Sequence, residues 1–255
     1  MQPDTFIGII PARYASTRFP GKPLADIGGM TMIERVYRQA SKALDHVLVA
    51  TDDARIFNTV EAFGGNAIMT SPDHRSGTDR CFEAYTKSGS DASVIINIQG
   101  DEPFVDPAQI EALRSCFDTP QVQIATLVRR FNPERGFDAL FNPNTPKVVM
   151  DSDMNALYFS RSIIPYVRGA EWKEWLNKTT FHTHIGMYAY RADVLAEIVK
   201  LPQSSLELAE SLEQLRWLQA GYKIRVGVTD IETIGIDTPA DLEAAIKLLN
   251  SNGRE

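Results

Sequence analysis

The strongest constraint on the fold is a regular alternation of short apolar runs with helical segments that carry their own start signals. The apolar runs predict strands at residues 6–10, 47–50, 67–69 and 94–99. Capping boxes predict helix starts at Thr31 with Glu34, at Ser76 with Asp79, and at Thr238 with Asp241, the last before a helix from Pro239 to about residue 250. Strands that alternate with helices in this way predict an α/β protein with a mostly parallel, Rossmann-like sheet and helices on both faces.

Residues 133–191 depart from this rhythm. Apolar runs such as "KVVMD", "ALYFSR" and "THIGMYAY" follow one another closely with little helix between them. We interpret the segment as an embedded, lid-like antiparallel insert within a single domain that spans residues 1–255. A helical pattern returns at residues 206–220, and its leucine stripe indicates packing against a core or a second copy.

Composition and charge argue against several classes of protein. The 255-residue chain has a net charge of −7 and two cysteines, Cys81 and Cys116, without a metal-binding spacing. An acidic chain argues against nucleic-acid binding, and no apolar run approaches the roughly 18 residues that span a membrane. The first residues lack a signal-peptide pattern, and because nothing indicates a disulfide framework, a reducing compartment fits the chain.

A cationic loop follows the first strand. In "IIPARYASTRFPGKP", Arg13, Arg18 and Lys22 occur together with Gly21, at the carboxyl end of a strand, where open α/β sheets bind ligands. Guanidinium and ammonium groups suit phosphate oxygens, and glycine permits close approach of the backbone. The loop therefore predicts a polyphosphate site, with an ordinary solvated loop as the alternative. It is neither a Walker A loop nor a dinucleotide fingerprint.

Two acids also follow predicted strands, Asp101 in "NIQGDEP" and Asp237 in "GIDTP". Carboxylates combined with substrate phosphate oxygens are the usual ligands of Mg²⁺. The pair therefore predicts a magnesium site if both acids face one cleft. Taken singly, each acid is better explained by turn or helix-cap chemistry.

Polar residues at a helix start and on a late strand are further candidates. Ser76 and Gly77 open the helix of "SGTDR" beside Arg80, where free N–H groups are able to meet a base or a phosphate; a plain helix cap is the alternative. His182 and His184 share one face of a strand. They lack a third ligand for zinc, so we expect a face toward a polar substrate or simply a solvated face.

Taken together, several motifs resemble those of the 3-deoxy-manno-octulosonate (Kdo) cytidylyltransferases, over about residues 6–248. They are "IPARYASTRFPGKPL", "SGTDR", "NIQGDEP", "FNPNTPKVV", "ALYFSRSIIPY", "HIGMYAYR", "LELAESLEQLRWL" and "GIDTPADLE". The resemblance implies a nucleotidyltransferase fold and the reaction of CTP with Kdo to give CMP-Kdo and pyrophosphate for lipopolysaccharide synthesis. It also implies Mg²⁺ as cofactor, a cytoplasmic location and a homodimer.

The same resemblance implies roles for individual residues. The triphosphate or the acidic sugar would be held by Arg13, Arg18 and Lys22. The cytosine nucleotide would be contacted by Ser76, Gly77 and Arg80, and Mg²⁺ would be bound by Asp101 and Asp237. The Kdo pocket would be lined by Gln99, Arg161, His184, Tyr188, Glu213 and Gln214. Thr183 stands where a basic residue often precedes the histidine in the family, which removes one expected charge contact.

Three alternatives fit the residues less well. One is the same chemistry on another acidic sugar, such as a sialate or an amino-Kdo. The second is a nucleotide-sensing protein that keeps the fold without turnover. The third is an NAD(P)-dependent dehydrogenase, against which the missing glycine fingerprint argues.

Overall fold

The structure is a computed structural model that describes residues 4–15, 19–232 and 235–252. Its strands are β1 (Phe6–Ala12), β2 (Asp26–Ile27), β3 (Met30–Thr31), β4 (Val47–Thr51), β5 (Ala67–Met69), β6 (Val94–Asn97), β7 (Ile124–Arg130), β8 (Lys147–Met150), β9 (Ala156–Ser160), β10 (His182–Arg191) and β11 (Ile224–Thr229). Its α-helices are α1 (Met32–Ala40), α2 (Ala54–Ala62), α3 (Gly77–Ser88), α4 (Pro107–Ser115), α5 (Gly136–Leu140), α6 (Trp175–Lys178), α7 (Ala192–Ile198), α8 (Ser205–Glu210), α9 (Gln214–Gln219) and α10 (Pro239–Asn252). The described residues form two compact units. The first comprises those up to Glu111 and from 235 onward, and the second comprises Ala112–Glu232.

The first unit is built on four parallel strands in the order β6-β1-β4-β5. Every residue of β4 and β6 is buried, which is typical of parallel strands that helices cover on both faces. The predicted α/β class, with a mostly parallel sheet and helices around it, is confirmed. Strand β1 runs two residues beyond its prediction, to Ala12, and β6 ends at Asn97. The Ile98 N–H still donates to the Ile9 carbonyl at 3.0 Å, so the chain leaves the sheet at residues 99–100, just before the acidic segment.

The predicted helix starts are confirmed by their hydrogen bonds. Thr31 Oγ1 accepts from the Glu34 N–H at 3.3 Å, and Thr238 and Asp241 bond reciprocally at the start of α10. Helix α10 then packs on the β2–β3 hairpin through a core cluster of Ile27, Met32, Ile236 and Ala245. This packing fixes the segment that carries Asp237.

The second unit is mixed. Strand β7 pairs with β11 in parallel and with β10 in antiparallel orientation, and β8 pairs with β10 and β9 in antiparallel orientation. The antiparallel character predicted for residues 133–191 is thus confirmed, and the segment lies wholly inside this unit. That the insert acts as a lid within a single domain stays a prediction.

One element differs from its prediction. The helical pattern at residues 206–220 forms two helices, α8 and α9, because Ser211 adopts a left-handed conformation with φ of 50°. Among the described helices, none is long and apolar enough to cross a membrane.

Candidate active site

The cationic loop after β1 is shaped by Gly21 and Tyr14. Gly21 has φ of 71°, a left-handed conformation that favours glycine, and its N–H donates to the Tyr14 carbonyl at 2.9 Å. The Tyr14 ring lies under the Arg55 guanidinium, with Cζ 3.3 Å from the ring centroid. The chain turns at Gly21 into a short 3₁₀ segment that begins with Lys22. Arg18, which we predicted as a ligand-binding residue, lies outside the described residues.

Lys22 joins the two predicted metal-binding acids. Its Nζ lies 2.7 Å from Asp101 Oδ2 and 3.3 Å from Asp237 Oδ1. The backbone supports this arrangement, since the Ile236 N–H donates to the Asp101 carbonyl at 3.0 Å. The Lys22 side chain is only 14% exposed, whereas that of Asp237 is 48% exposed. The prediction that Asp101 and Asp237 face one cleft therefore agrees with the geometry, with the lysine ammonium located between them.

Gly100 brings the acidic segment against the end of β1. A Cβ atom at this position would lie 2.9 Å from the Pro11 carbonyl oxygen, closer than side-chain carbons approach a backbone oxygen. The next acid, Glu102, is partly buried, and its buried Oε2 atom has no hydrogen-bond partner in the described part of the chain. Burial and the neighbouring Asp101 charge raise the pKa of Glu102 to about 7.

The start of α3 forms a further edge of the site. Ser76 Oγ caps the helix by accepting from the Asp79 N–H at 3.1 Å. A Cβ atom on Gly77 would lie 3.3 Å from Pro11 Cγ, so the glycine lets α3 approach β1 closely. Arg80 is buried, and it donates to Thr70 Oγ1 at 2.6 Å and to Asp52 Oδ2 at 3.0 Å. Two of its guanidinium nitrogens are thus committed to structural partners.

These segments enclose a cavity of about 260 Å³, which we call the cationic cleft. Its lining includes residues that we predicted for nucleotide and metal binding, namely Arg13, Lys22, Ser76, Gly77, Arg80, Asp101 and Asp237, and also Gln99, which we predicted for the sugar pocket. Arg13 is exposed at its edge. Two further lining residues, His74 and Arg75, also face the cleft. Neither residue was among the predicted site residues, because the capping pattern at the start of this helix points only to Ser76 and its neighbours.

Residues of the second unit that we predicted for the sugar pocket are in part brought together. His184 is partly buried: its Nε2 lies 2.9 Å from Thr126 Oγ1, and its ring packs against Phe159 and Tyr188. Burial lowers the pKa of His184 to about 3, so the imidazole is neutral at physiological pH. It is a hydrogen-bonding group and not a cation.

Two of these sugar-pocket residues carry buried polar atoms. Among the described residues, the buried Tyr188 hydroxyl beside Thr126 has no hydrogen bond of normal geometry, and burial raises the pKa of this phenol well above its ordinary value. Gln214, the first residue of α9, is also buried, and its Nε2 has no partner in the described part of the chain. Because an unpaired buried polar group is unfavourable, such atoms are suited to a polar ligand.

Arg161 contacts the backbone. Its Nε donates to the Glu210 carbonyl at 2.6 Å, Nη1 to the Pro143 carbonyl at 2.8 Å, and Nη2 to the Ser211 carbonyl at 3.2 Å. These bonds hold the break between α8 and α9. They support a positioning role, and contact of Arg161 with a sugar stays a prediction. Thr183 is buried and donates to the Arg129 carbonyl.

Within the described residues, no group of three or more His, Cys, Asp and Glu side chains is placed to hold a metal ion. A site made only of protein ligands, as for structural zinc, is thus not found there. The two carboxylates around Lys22 fit a different case. Mg²⁺ usually takes one or two carboxylates together with water and substrate phosphate oxygens, and the ammonium between Asp101 and Asp237 shows that this point accepts a cation.

Comparison with known proteins gives consistent results. A family model described as cytidylyltransferase matches residues 7–224. The 3-deoxy-manno-octulosonate cytidylyltransferase of Parabacteroides distasonis is 64% identical, with 96% of this chain and 98% of the relative covered. The enzyme of the same name from Phocaeicola vulgatus is 62% identical over 98% of this chain and 99% of its own. A solved CMP:2-keto-3-deoxy-manno-octonic acid synthetase complexed with CTP superposes with a TM-score of 0.89 at 44% identity, covering 97% of this chain and 99% of the other.

Proposed function

The chain belongs to the cytidylyltransferase family, and from this membership we propose that it transfers CMP from CTP to the anomeric hydroxyl of Kdo. The products are CMP-Kdo, for lipopolysaccharide synthesis, and pyrophosphate. Two relatives named 3-deoxy-manno-octulosonate cytidylyltransferase, each more than 60% identical over almost the whole chain, support CTP and Kdo as the substrates. The observation that carries the proposal is the contact of Lys22 with both Asp101 and Asp237 in the cationic cleft. It supports the proposal because an ammonium group suited to phosphate and two carboxylates suited to a metal ion lie in contact.

The nucleotide half of the reaction is assigned to the first unit. In the proposed reaction the sugar hydroxyl attacks the α-phosphorus of CTP, and pyrophosphate leaves in line. Phosphoryl transfer of this kind depends on positioning and neutralisation of charge more than on covalent catalysis. Lys22 and Arg13 neutralise the triphosphate and the departing pyrophosphate. The N–H groups at the start of α3 and the Ser76 hydroxyl bind the nucleotide, and Arg80 keeps this edge of the cleft in place through Asp52 and Thr70.

We propose Mg²⁺ as the cofactor, with Asp101 and Asp237 as its protein ligands. The donor set fits, since two carboxylates converge on a cation and leave further coordination positions to water and phosphate oxygens. When bound, Mg²⁺ supplies Lewis-acid polarisation of phosphate oxygens and favours ionisation of a coordinated hydroxyl. The carboxylates themselves orient this centre beside Lys22.

The sugar half is assigned to residues of the second unit, and a contact of Gln99 with the sugar stays a prediction. His184, kept neutral by its buried site, and the buried polar atoms of Tyr188 and Gln214 are suited to the hydroxyl groups of an acidic sugar. Glu213, directly before α9, is assigned to the same role. Dimerisation and a cytoplasmic location are part of the proposal on the strength of the family resemblance alone.

The proposal is tested by pyrophosphate release from purified protein with CTP and Mg²⁺, with Kdo, with a sialate, or with no sugar. We expect release that requires Kdo. Asp101→Asn should lower the rate by at least about 100-fold, because one of two metal carboxylates is lost. The matched control is Asp45→Asn, at an exposed aspartate that is not among the cleft-lining residues, which should retain the wild-type rate.

Other results of this assay would distinguish the alternative functions from the proposed one. Release with a sialate but not with Kdo would keep the mechanism and change the sugar. CTP binding without pyrophosphate release in the presence of any of the sugars would favour a nucleotide-sensing protein. A wild-type rate in Asp101→Asn would contradict the metal assignment.

A further inference from the structure

His74 is a cleft-lining residue to which the proposed function gives no task. It lies in the loop between β5 and α3, two residues before the helix cap Ser76, and only 19% of its side chain is exposed. It shares the cationic cleft with Ser76 and Gly77, which are assigned to the nucleotide, and with Arg80, which holds this edge in place. A histidine held at this edge is able to contact a nucleobase.

One nitrogen of the His74 ring is already committed. Its Nε2 contacts Glu83 Oε2. The same carboxylate accepts from the Ser71 N–H at 2.9 Å and pairs with Lys87 Nζ at 2.6 Å. Three donors therefore fix Glu83 in place, and through it they fix the plane of the imidazole.

This contact determines the tautomer of His74. Burial of the Glu83 carboxyl opposes its ionisation, but bonds from Lys87, the Ser71 N–H and His74 outweigh burial and lower the pKa of Glu83 to about 2. An ionised carboxylate only accepts hydrogen bonds, so Nε2 must carry the proton that it donates to Glu83. In the neutral ring, Nδ1 then has a lone pair and is purely an acceptor.

We propose that His74 Nδ1 accepts a hydrogen bond from the exocyclic amino group of cytosine and so selects CTP over UTP. The inference rests on the proposed function, since it assumes that the cleft binds a cytidine nucleotide. Cytosine presents an N–H₂ donor at its C4 position, whereas uracil presents a carbonyl oxygen. A uracil in the same position would place the lone pair of its carbonyl oxygen against the lone pair of His74 Nδ1, and the two would repel each other. His74 is thus a base-reading residue, and Glu83 is its positioning residue.

The test compares kcat/KM for CTP and for UTP, together with dissociation constants for both nucleotides from calorimetry. His74→Phe keeps an aromatic ring of similar size without its polar atoms. We expect it to lower the CTP-over-UTP ratio by about tenfold or more, the value of a lost hydrogen bond to a base edge. The loss should appear as a raised KM for CTP with an unchanged or lower KM for UTP. His46→Phe is the matched control, because His46 is an exposed histidine of the same unit, and it should keep the wild-type ratio.

Glu83→Gln is the second variant, and it leaves the His74 ring in place. The amide is able to donate to Nε2, which frees His74 to carry its proton on Nδ1 and to face a uracil oxygen. The CTP-over-UTP ratio should therefore fall in Glu83→Gln. The thermal midpoint of this variant should stay close to the midpoints of His46→Phe and the wild type. A ratio within twofold of wild type in both His74→Phe and Glu83→Gln would overturn the inference, and so would an equal loss for CTP and UTP. If the protein bound CTP more tightly than UTP but showed no turnover, the proposed function would be contradicted and the inference about His74 would be supported.

Discussion

At the scale of single residues, Gly100 shows how a missing side chain positions the acidic segment. A Cβ atom there would lie 2.9 Å from the Pro11 carbonyl oxygen, and backbone cannot give way as a flexible side chain does. Gly100→Ala should therefore displace Asp101 relative to β1. We expect a loss of about 1–3 kcal/mol in the free energy of unfolding and a fall of about tenfold or more in kcat/KM. Urea denaturation and the pyrophosphate assay measure the two effects.

Gly235→Ala is the matched control for Gly100→Ala. Gly235 is also close in sequence to a predicted metal ligand, Asp237, but a Cβ atom on it would have no heavy atom within 4 Å. This variant should change kcat/KM by less than about threefold, in line with the small effects of unconstrained surface positions. Equal losses in both variants would show that proximity to an acid, and not the contact with Pro11, makes Gly100 sensitive.

The same scale shows what the sequence could and could not predict about the candidate site. The convergence of Asp101 and Asp237 was predictable, because ligands of an α/β sheet gather at the carboxyl ends of its strands. The position of Lys22 between them was not, since it depends on the left-handed turn at Gly21. His74 gave only a weak signal. Its partner Glu83 lies nine residues away on a helix, and no local pattern links a loop residue to that helical turn.

At the scale of elements, the break between α8 and α9 had no local sequence signal. No glycine or proline occurs in residues 206–220, and an amphipathic leucine pattern predicts one continuous helix. The break is stabilised from elsewhere in the chain: Arg161 donates to the Glu210 and Ser211 carbonyls that the interrupted helix leaves free. Sequence patterns report local preference, so a contact made across about fifty residues is invisible to them.

The two helices are held together by a buried ion pair, which gives an element-scale prediction. Arg216 donates to Glu207 through Nε at 2.8 Å and through Nη2 at 2.5 Å, and both side chains are at least nine-tenths buried. Arg216→Gln would leave the Glu207 carboxylate buried without its partner. We expect the free energy of unfolding to fall by about 3 kcal/mol, measured as a lower urea midpoint.

Arg38→Gln is the matched control for that ion pair. Arg38 pairs with Glu34 on α1 at 2.8 Å, but its side chain is 53% exposed. Loss of such a pair should cost less than about 0.5 kcal/mol, because solvent screens it. A loss in Arg216→Gln no larger than that in Arg38→Gln would mean that Glu207 is protonated, or solvated by rearrangement, in the variant.

At the scale of the whole molecule, the pKa shifts of His184, Glu102 and Glu83 contribute to the response of stability to acid. The unfolded chain takes up a proton on His184 near its ordinary pKa of 6.5, whereas the folded chain resists until about pH 3, so acidification in this range destabilises the fold. Glu102 acts in the opposite direction. The folded chain takes up its proton near pH 7 and the unfolded chain near 4.5, so acidification in that range stabilises the fold.

These opposite effects should nearly cancel between pH 6.5 and 4.5. Below pH 4.5 Glu102 is protonated in both states, so the His184 effect is no longer offset. Glu83 then adds to it, because its pKa falls from 4.5 in the unfolded chain to about 2 in the folded one, and its stabilising contribution is lost as the pH drops through that interval. A gently sloping stability profile that steepens below pH 4.5 is therefore expected from these groups.

Glu102→Gln isolates the compensation. The variant lacks the proton uptake that stabilises the folded chain on acidification, so the His184 effect is exposed. Between pH 7 and 4.5 its free energy of unfolding should fall by roughly 2 kcal/mol more than that of the wild type, measured by urea denaturation at several pH values in this range. Glu61→Gln, at an exposed glutamate on α2, should follow the wild-type profile. A profile of Glu102→Gln that ran parallel to that of the wild type would contradict this prediction. It would mean that the Glu102 carboxyl is solvated in the folded chain and that its pKa is not raised there.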